Sequence, residues 1–227
     1  MNGPDHENRF SDGFPLCQEV LGELDPPLNG YDNEFARLVG SGDVENTHYS
    51  RLVRYLDLSL DTQVAGYASG VARFPRKTAA APFMEFAEIK LNARVLMRRA
   101  ISAIGGEVEP EGTVALPFDA YSMPWYFLWL GTMGNRAQSG LGAYAGMLVW
   151  HHVCVSLVER LSTLENPPPE DFTVIFRRFE EAPERMLRVC LEAAEEGLHA
   201  GDDQRAALVS ARLAEISLLR FMSAPVQ

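Results

Sequence analysis

Two carboxylates interrupt runs of residues that helical spacing would otherwise bury, and an acid held away from water can carry a proton near neutral pH. Val53, Asp57, Leu60, Val64, Tyr67 and Val71 follow one another at intervals of four and three, the spacing of one helix face. Leu208, Ala211, Glu215, Leu218 and Met222 do the same near the C-terminus, with Glu215 at the centre. Burial disfavours the charged form of such an acid and raises its pKa, which suits general acid/base work. A structural role is open for each: Asp57 could pair with Arg54 and Glu215 with Arg212, or either helix could turn its acid to water.

Trp150, His151, His152 and Cys154 fall within one apolar run, Met147–Val158. His152 shares a face with Leu148 and Val155, and His151 with Tyr144, Leu148 and Val158, so at least one imidazole is expected to point inward. A metal site in a helical bundle would add carboxylate and histidine ligands at matched positions on facing helices. Glu85 and Glu88 offer ExxE, while the ExxH spacings Glu45–His48 and Glu196–His199 lie outside apolar stripes. The expectation is a satisfied core histidine, with no metal and no other cofactor. Cys154 would be a nucleophile only if a neighbour lowered its pKa, and Cys190 reads as packing. The cluster Tyr121, Trp125, Tyr126, Phe127 and Trp129 is core-like, yet Tyr and Trp keep a polar tip, as in a pocket for a flat heterocycle. GxGxxG, P-loop and GxSxG patterns are absent, so nucleotide folds and α/β hydrolases have no support.

The elements that must position these groups are helical. Short helices are expected around Leu16–Leu24 and Asp32–Val39, within an irregular, Pro- and Gly-punctuated segment of the first 45 residues. A long helix is predicted over Tyr49–Arg73, ended by Pro75, and a second from after Pro82 to Ile104, stopped by Gly105-Gly106. Glu107–Pro117 reads as a loop. Further helices are predicted over Asp119–Gly134 and Leu141–Leu161, the latter before the linker Pro167-Pro168-Pro169. Glu170–Leu198 reads as one helix bent or broken at Pro183, because proline removes a donor and crowds the preceding turn. Asp202 or Asp203 caps a last helix, Gln204–Met222. No alternating β-branched run suggests a sheet, so the fold class is all-α, one domain of seven to eight helices.

The balance of 20 Lys and Arg against 31 Asp and Glu gives a net charge of -11, the wrong sign for neutralising phosphates or an anionic membrane surface. Hydrophobic residues make up 47%, enough for a substantial core. Cys17, Cys154 and Cys190 are far apart and odd in number, so neither a disulfide framework nor a zinc knuckle is expected, and a reducing cytoplasm is the default. Met1–Arg9 is polar, unlike a signal peptide, and no uninterrupted apolar stretch reaches the roughly 20 residues of a membrane span.

Three stretches give the chain a resemblance to a known family. They are YSRLVRYLDLSLDTQVAGYASGVARFP (Tyr49–Pro75), MPWYFLWLGTMGNRAQSGLGAYAGMLVWHHVCVSLVERL (Met123–Leu161), and DFTVIFRRFEEAPERMLRVCLEAAEEGL followed by SARLAEISLLRFM. In pattern and order they resemble the TenA/thiaminase II branch of the haem-oxygenase-like helical superfamily. The resemblance implies a haem-oxygenase-like bundle enclosing a small aromatic ligand, acid/base hydrolysis of an aminopyrimidine-type N-heterocycle, and a homo-oligomer. It implies that Asp57 holds the ring, Tyr126 bounds the pocket and Glu215 is the general acid/base. The family's nucleophilic cysteine falls at Val149 or Trp150 here, and a tyrosine one turn on at Val153 or Cys154, which makes Trp150 and Cys154 candidate substrate contacts. Two further readings are a metal-dependent oxidase drawing on Glu85, Glu88, His151, His152 and Glu215, and a non-catalytic binding protein.

Overall fold

Helices account for every regular element among the described residues, and no strand occurs among them. A computed structural model describes residues 8–75, 77–105 and 116–227. The expected loop Glu107–Pro117 therefore lies outside the described residues except for Leu116 and Pro117, as does the polar segment Met1–Arg9 except for Asn8 and Arg9. Nine α-helices are described rather than the expected seven to eight: α1 (Pro15–Gly22), α2 (Glu34–Ser41), α3 (Asn46–Arg73), α4 (Lys77–Ala103), α5 (Ser122–Met133), α6 (Arg136–Ser162), α7 (Glu170–Arg177), α8 (Glu184–His199) and α9 (Gln204–Ser223).

Several boundaries depart from the predicted ones for local reasons. α4 begins before Pro82, which sits inside it; Ala79 and Ala80 are buried, so tertiary packing holds the turn ahead of the proline. α6 starts five residues earlier than predicted, because Asn135 caps it and Gln138 returns a hydrogen bond to the Asn135 N–H. Helix formation lapses between Arg177 and Glu184, so the segment with Pro183 is two helices. Of the two candidate caps, Asp203 accepts from the Ala206 N–H, whereas Asp202 reaches across to the Ala137 N–H at the start of α6.

α3 and α4 run antiparallel, with Tyr67 stacked on Phe86 and Asp61 paired with Arg94. α5 crosses α3 almost backbone to backbone: a Cβ on Gly131 would stand 1.8 Å from the Gly66 carbonyl oxygen, so no side chain fits there. α6 fills the middle, packed by α8 and α9. It has the length and apolar content of a membrane span, but 83% of that window is buried inside the fold. The N-terminal segment is tied onto this bundle by two carboxylates. Glu195 of α8 accepts from the Leu16 and Cys17 N–H groups at the start of α1, and Glu215 of α9 accepts from the Asn29 N–H.

Candidate functional site

The aromatic enclosure lies between α3, α4, α6 and the turn after α7. Its α3 wall is the face Leu56, Ser59, Leu60 and Tyr67. Ser59 donates to the Leu56 carbonyl and accepts from Gln63, whose amide oxygen accepts from Tyr67, so the polar atoms of this wall are satisfied along the helix itself. Phe86 of α4 and Phe127 of α5 pack against Tyr67 at ring separations of 5.4 and 5.8 Å. Gly146 lets Phe127 approach α6, since a Cβ there would stand 2.6 Å from the ring. Trp150 closes the α6 side and contacts Phe176 and Phe179. His151 donates from Nδ1 to the Phe179 carbonyl at 2.6 Å, which fixes its tautomer and pins the turn that carries Phe179. The enclosed volume is about 60 Å³.

Among the described residues, two cations reach this space. Lys90, half-buried on α4, lines it without a hydrogen bond or ion pair to any described residue. Loss of hydration lowers its pKa to about 8, with a smaller opposing effect from Cys154. Arg178 also lines the cavity and is exposed, so the space reaches the surface beside it.

Of the expected site residues, Trp150 alone lines this cavity. Asp57 is half-buried at the edge of α3, facing Arg94 and Arg98 of α4. Burial raises its pKa, the two arginines oppose that, and Asp61 adds to it; its Oδ1 is buried without a hydrogen bond. Glu215 is buried, but its oxygens are taken by the Asn29 N–H (2.7 Å) and by Arg212, away from the lining residues. Neither acid is among the residues that line this cavity. Tyr126 binds elsewhere too: its hydroxyl donates to the Ser210 carbonyl and meets the Ser210 hydroxyl, linking α5 to α9, and burial pushes its pKa up. Cys154 is fully buried off the cavity and its thiol pKa is driven upward by burial, with Lys90 opposing and Glu180 adding, so it is a packing residue in a neutral state.

The ligands considered for a metal are likewise dispersed: among the described residues, no three His, Cys, Asp or Glu side chains converge as a metal site would require. Glu85 pairs with Arg185, and His152 stacks on Tyr31 at 4.2 Å. Of the aromatic cluster in Tyr121–Trp129, only Phe127 lines the cavity; Trp125 is half-exposed and packs on Tyr121 at the surface.

With this geometry in hand, the chain is similar in structure to a TenA homologue from Pseudomonas syringae pv. tomato str. DC3000, at 10% identity and a TM-score of 0.72, over 100% of this chain and 98% of that one. It is similar as well to a TenA homologue from Pyrococcus furiosus, at 11% identity and a TM-score of 0.68, over 95% of this chain and 99% of that one. The chain has the TenA fold. No protein-family model and no curated protein sequence matches it.

Within this TenA fold, the lining takes Leu60, Tyr67 and Leu218 from the two stripes that periodicity singled out and adds residues those stripes passed over, Leu56, Ser59, Phe86 and Lys90 among them. The buried face of α3 runs Leu52, Leu56, Ser59, Gln63 and Tyr67, one step round the helix from the stripe that held Asp57. On α4, Lys90 is four residues after Phe86 and seven before Met97, a lone cation in an apolar stripe. That spacing was the signal available for it.

Proposed function

We propose that the protein binds a small, flat, largely apolar molecule in the cavity walled by Tyr67, Phe86, Phe127, Trp150 and Phe179. The composition of the walls carries the reading: aromatic faces dominate, and no carboxylate or thiol stands among the described lining residues. A cavity that admits benzene measures about 150 Å³, against about 60 Å³ here. A ring-sized ligand therefore enters by displacing side chains. Met97, Met123 and Met147, unbranched and adaptable, are the ones that give way.

The whole-chain likeness to TenA homologues favours a second reading, acid/base hydrolysis of an aminopyrimidine-type heterocycle in thiamin metabolism. In that reading Glu215 must first leave Asn29 and Arg212 to reach a substrate. Incubation of the purified protein with thiamin and with an aminomethylpyrimidine, followed by chromatography, separates the two. Product that disappears in Glu215→Gln supports hydrolysis. A rise in melting temperature with a small aromatic ligand, with no product after long incubation, supports binding. The homo-oligomer belongs to both readings; the exposed side chains of Trp125, Met133, Val209 and Leu213 on α5 and α9 offer apolar surface for it, and sedimentation at two concentrations tests it.

A further inference from the structure

The cavity's polar groups have a sign. Its walls are aromatic and aliphatic, Ser59 and Tyr67 are already engaged along α3, and the charged groups among its described lining residues, Lys90 and Arg178, are both cationic. In a chain of net charge -11 an unopposed pair of cations at one opening is a local exception that focuses potential on that opening. An ammonium set among apolar walls without a counter-ion is also an incomplete arrangement, because half-buried charges are normally paired. What completes it is an anion carried by an apolar body.

We propose that the cavity takes a small aromatic monocarboxylate, its ring between Phe86, Phe127 and Trp150 and its carboxylate held by the Lys90 ammonium, with Arg178 guiding it in at the mouth. The proposal rests on the reading that this cavity is the ligand site. One enclosed cation matches one unit of negative charge, and a planar carboxylate adds little bulk to a ring that must already displace methionines. The cationic pair repels an amine or an aminopyrimidine protonated on its ring, so the site discriminates by charge as well as by shape.

Trp125→Phe and Trp129→Phe, both at partly exposed positions outside the cavity, leave Trp150 as the sole tryptophan emitter. In that background, Trp150 emission is titrated with benzoate and phenylacetate and with their neutral counterparts, benzamide and phenylacetamide. The expected result is that each acid binds about tenfold more tightly than its amide, the size of one charge-assisted contact. Lys90→Met brings acid and amide to within about twofold of each other. The unsubstituted Lys90 gives a second readout in the same background, with no change at the lysine itself: the acid preference fades as pH rises past about 8. The other titratable groups facing Lys90 do not mimic this. Burial drives the Tyr67 and Cys154 pKa values upward, so both stay neutral. Acids and amides that bind alike, or an acid preference that survives both Lys90→Met and high pH, overturn the carboxylate assignment while leaving the cavity as a ligand site. Trp150 emission indifferent to all four probes overturns the cavity reading and this one with it.

Discussion

Glu215 and Asn29, 186 residues apart in the chain, meet through a 2.7 Å hydrogen bond in which the Asn29 N–H donates to the buried carboxylate. Arg212 holds the other carboxylate oxygen and donates onward to the Pro26 carbonyl, so one acid and one guanidinium fasten the segment from Pro26 to Asn29 onto α9. Removing the acid leaves the Asn29 N–H without its acceptor and a partly buried guanidinium without its counter-charge.

Glu215→Ala should therefore cost about 2 to 3 kcal/mol in urea unfolding. Glu215→Gln should cost roughly half as much, because its amide oxygen still accepts from Asn29. Protease cleavage between residues 23 and 33 should quicken in the same order. Equal stability of all three proteins would show that the contact does no fastening.

His152 predicts a particular response to acid. Burial, aided by His151, lowers its pKa to about 4 from 6.5, so between those values the unfolded chain holds the extra proton. Stability is then full above about pH 6.5 and falls as the pH drops toward 4, by up to about 3 kcal/mol from this residue. His152→Phe keeps a ring to stack on Tyr31 and should remove that portion of the acid sensitivity. The check is the urea midpoint of both proteins measured from pH 7.5 to 4.

Periodicity identified buried faces well and their partners poorly, and the difference is physical. The α9 stripe through Glu215 is the buried face, since Ala211, Leu218 and Met222 are all enclosed. That Glu215 answers to Asn29 rather than to a ligand depends on where a Pro-rich segment lies, which no helical spacing encodes. On α3 the stripe was read one step too far round the helix. Asp57 falls at the edge, while Ser59 and Gln63 occupy the centre because a local Ser–Gln–Tyr chain satisfies them. Trp150 was reached through the family resemblance, as a position where the family carries its nucleophilic cysteine, and it does line the cavity. Lys90 was not legible, because a lysine within an apolar stripe normally carries its charge out to water. The helix order was legible from Gly and Pro punctuation; the start of α6 needed the Asn135–Gln138 capping pair.

Asp57 offers a test that separates an edge residue from a ring-holding one. Its folded pKa is raised, chiefly by burial, so between the usual carboxylate pKa and the raised one the folded protein holds the extra proton. That contribution to stability is present at low pH and is lost as pH rises through the folded pKa. Asp57→Asn should then leave stability at pH 7 unchanged or improve it, by no more than about 1 kcal/mol for a half-exposed group near two arginines. Phenylacetate affinity should stay within about twofold, since Asp57 is not part of the cavity wall. A tenfold loss of affinity would put its carboxylate at the ligand after all.

The thiols give the sharpest check on the absence of a nucleophile from this site. Cys17, Cys154 and Cys190 are each fully buried, and desolvation raises the pKa of all three, opposed at Cys154 by the Lys90 ammonium. A thiol acts as a nucleophile through its thiolate, so both access and ionisation are withheld at neutral pH. In the folded protein at pH 7.5, iodoacetamide should leave all three unlabelled over an hour, and mass spectrometry should find all three modified once urea unfolds the chain. Lys90→Met, which takes away the cation nearest Cys154, should make that thiol no more reactive. Fast native labelling confined to Cys154, slowed by Lys90→Met, would mean that the lysine ionises a neighbouring nucleophile, and the hydrolytic reading would return with Cys154 as its attacking group.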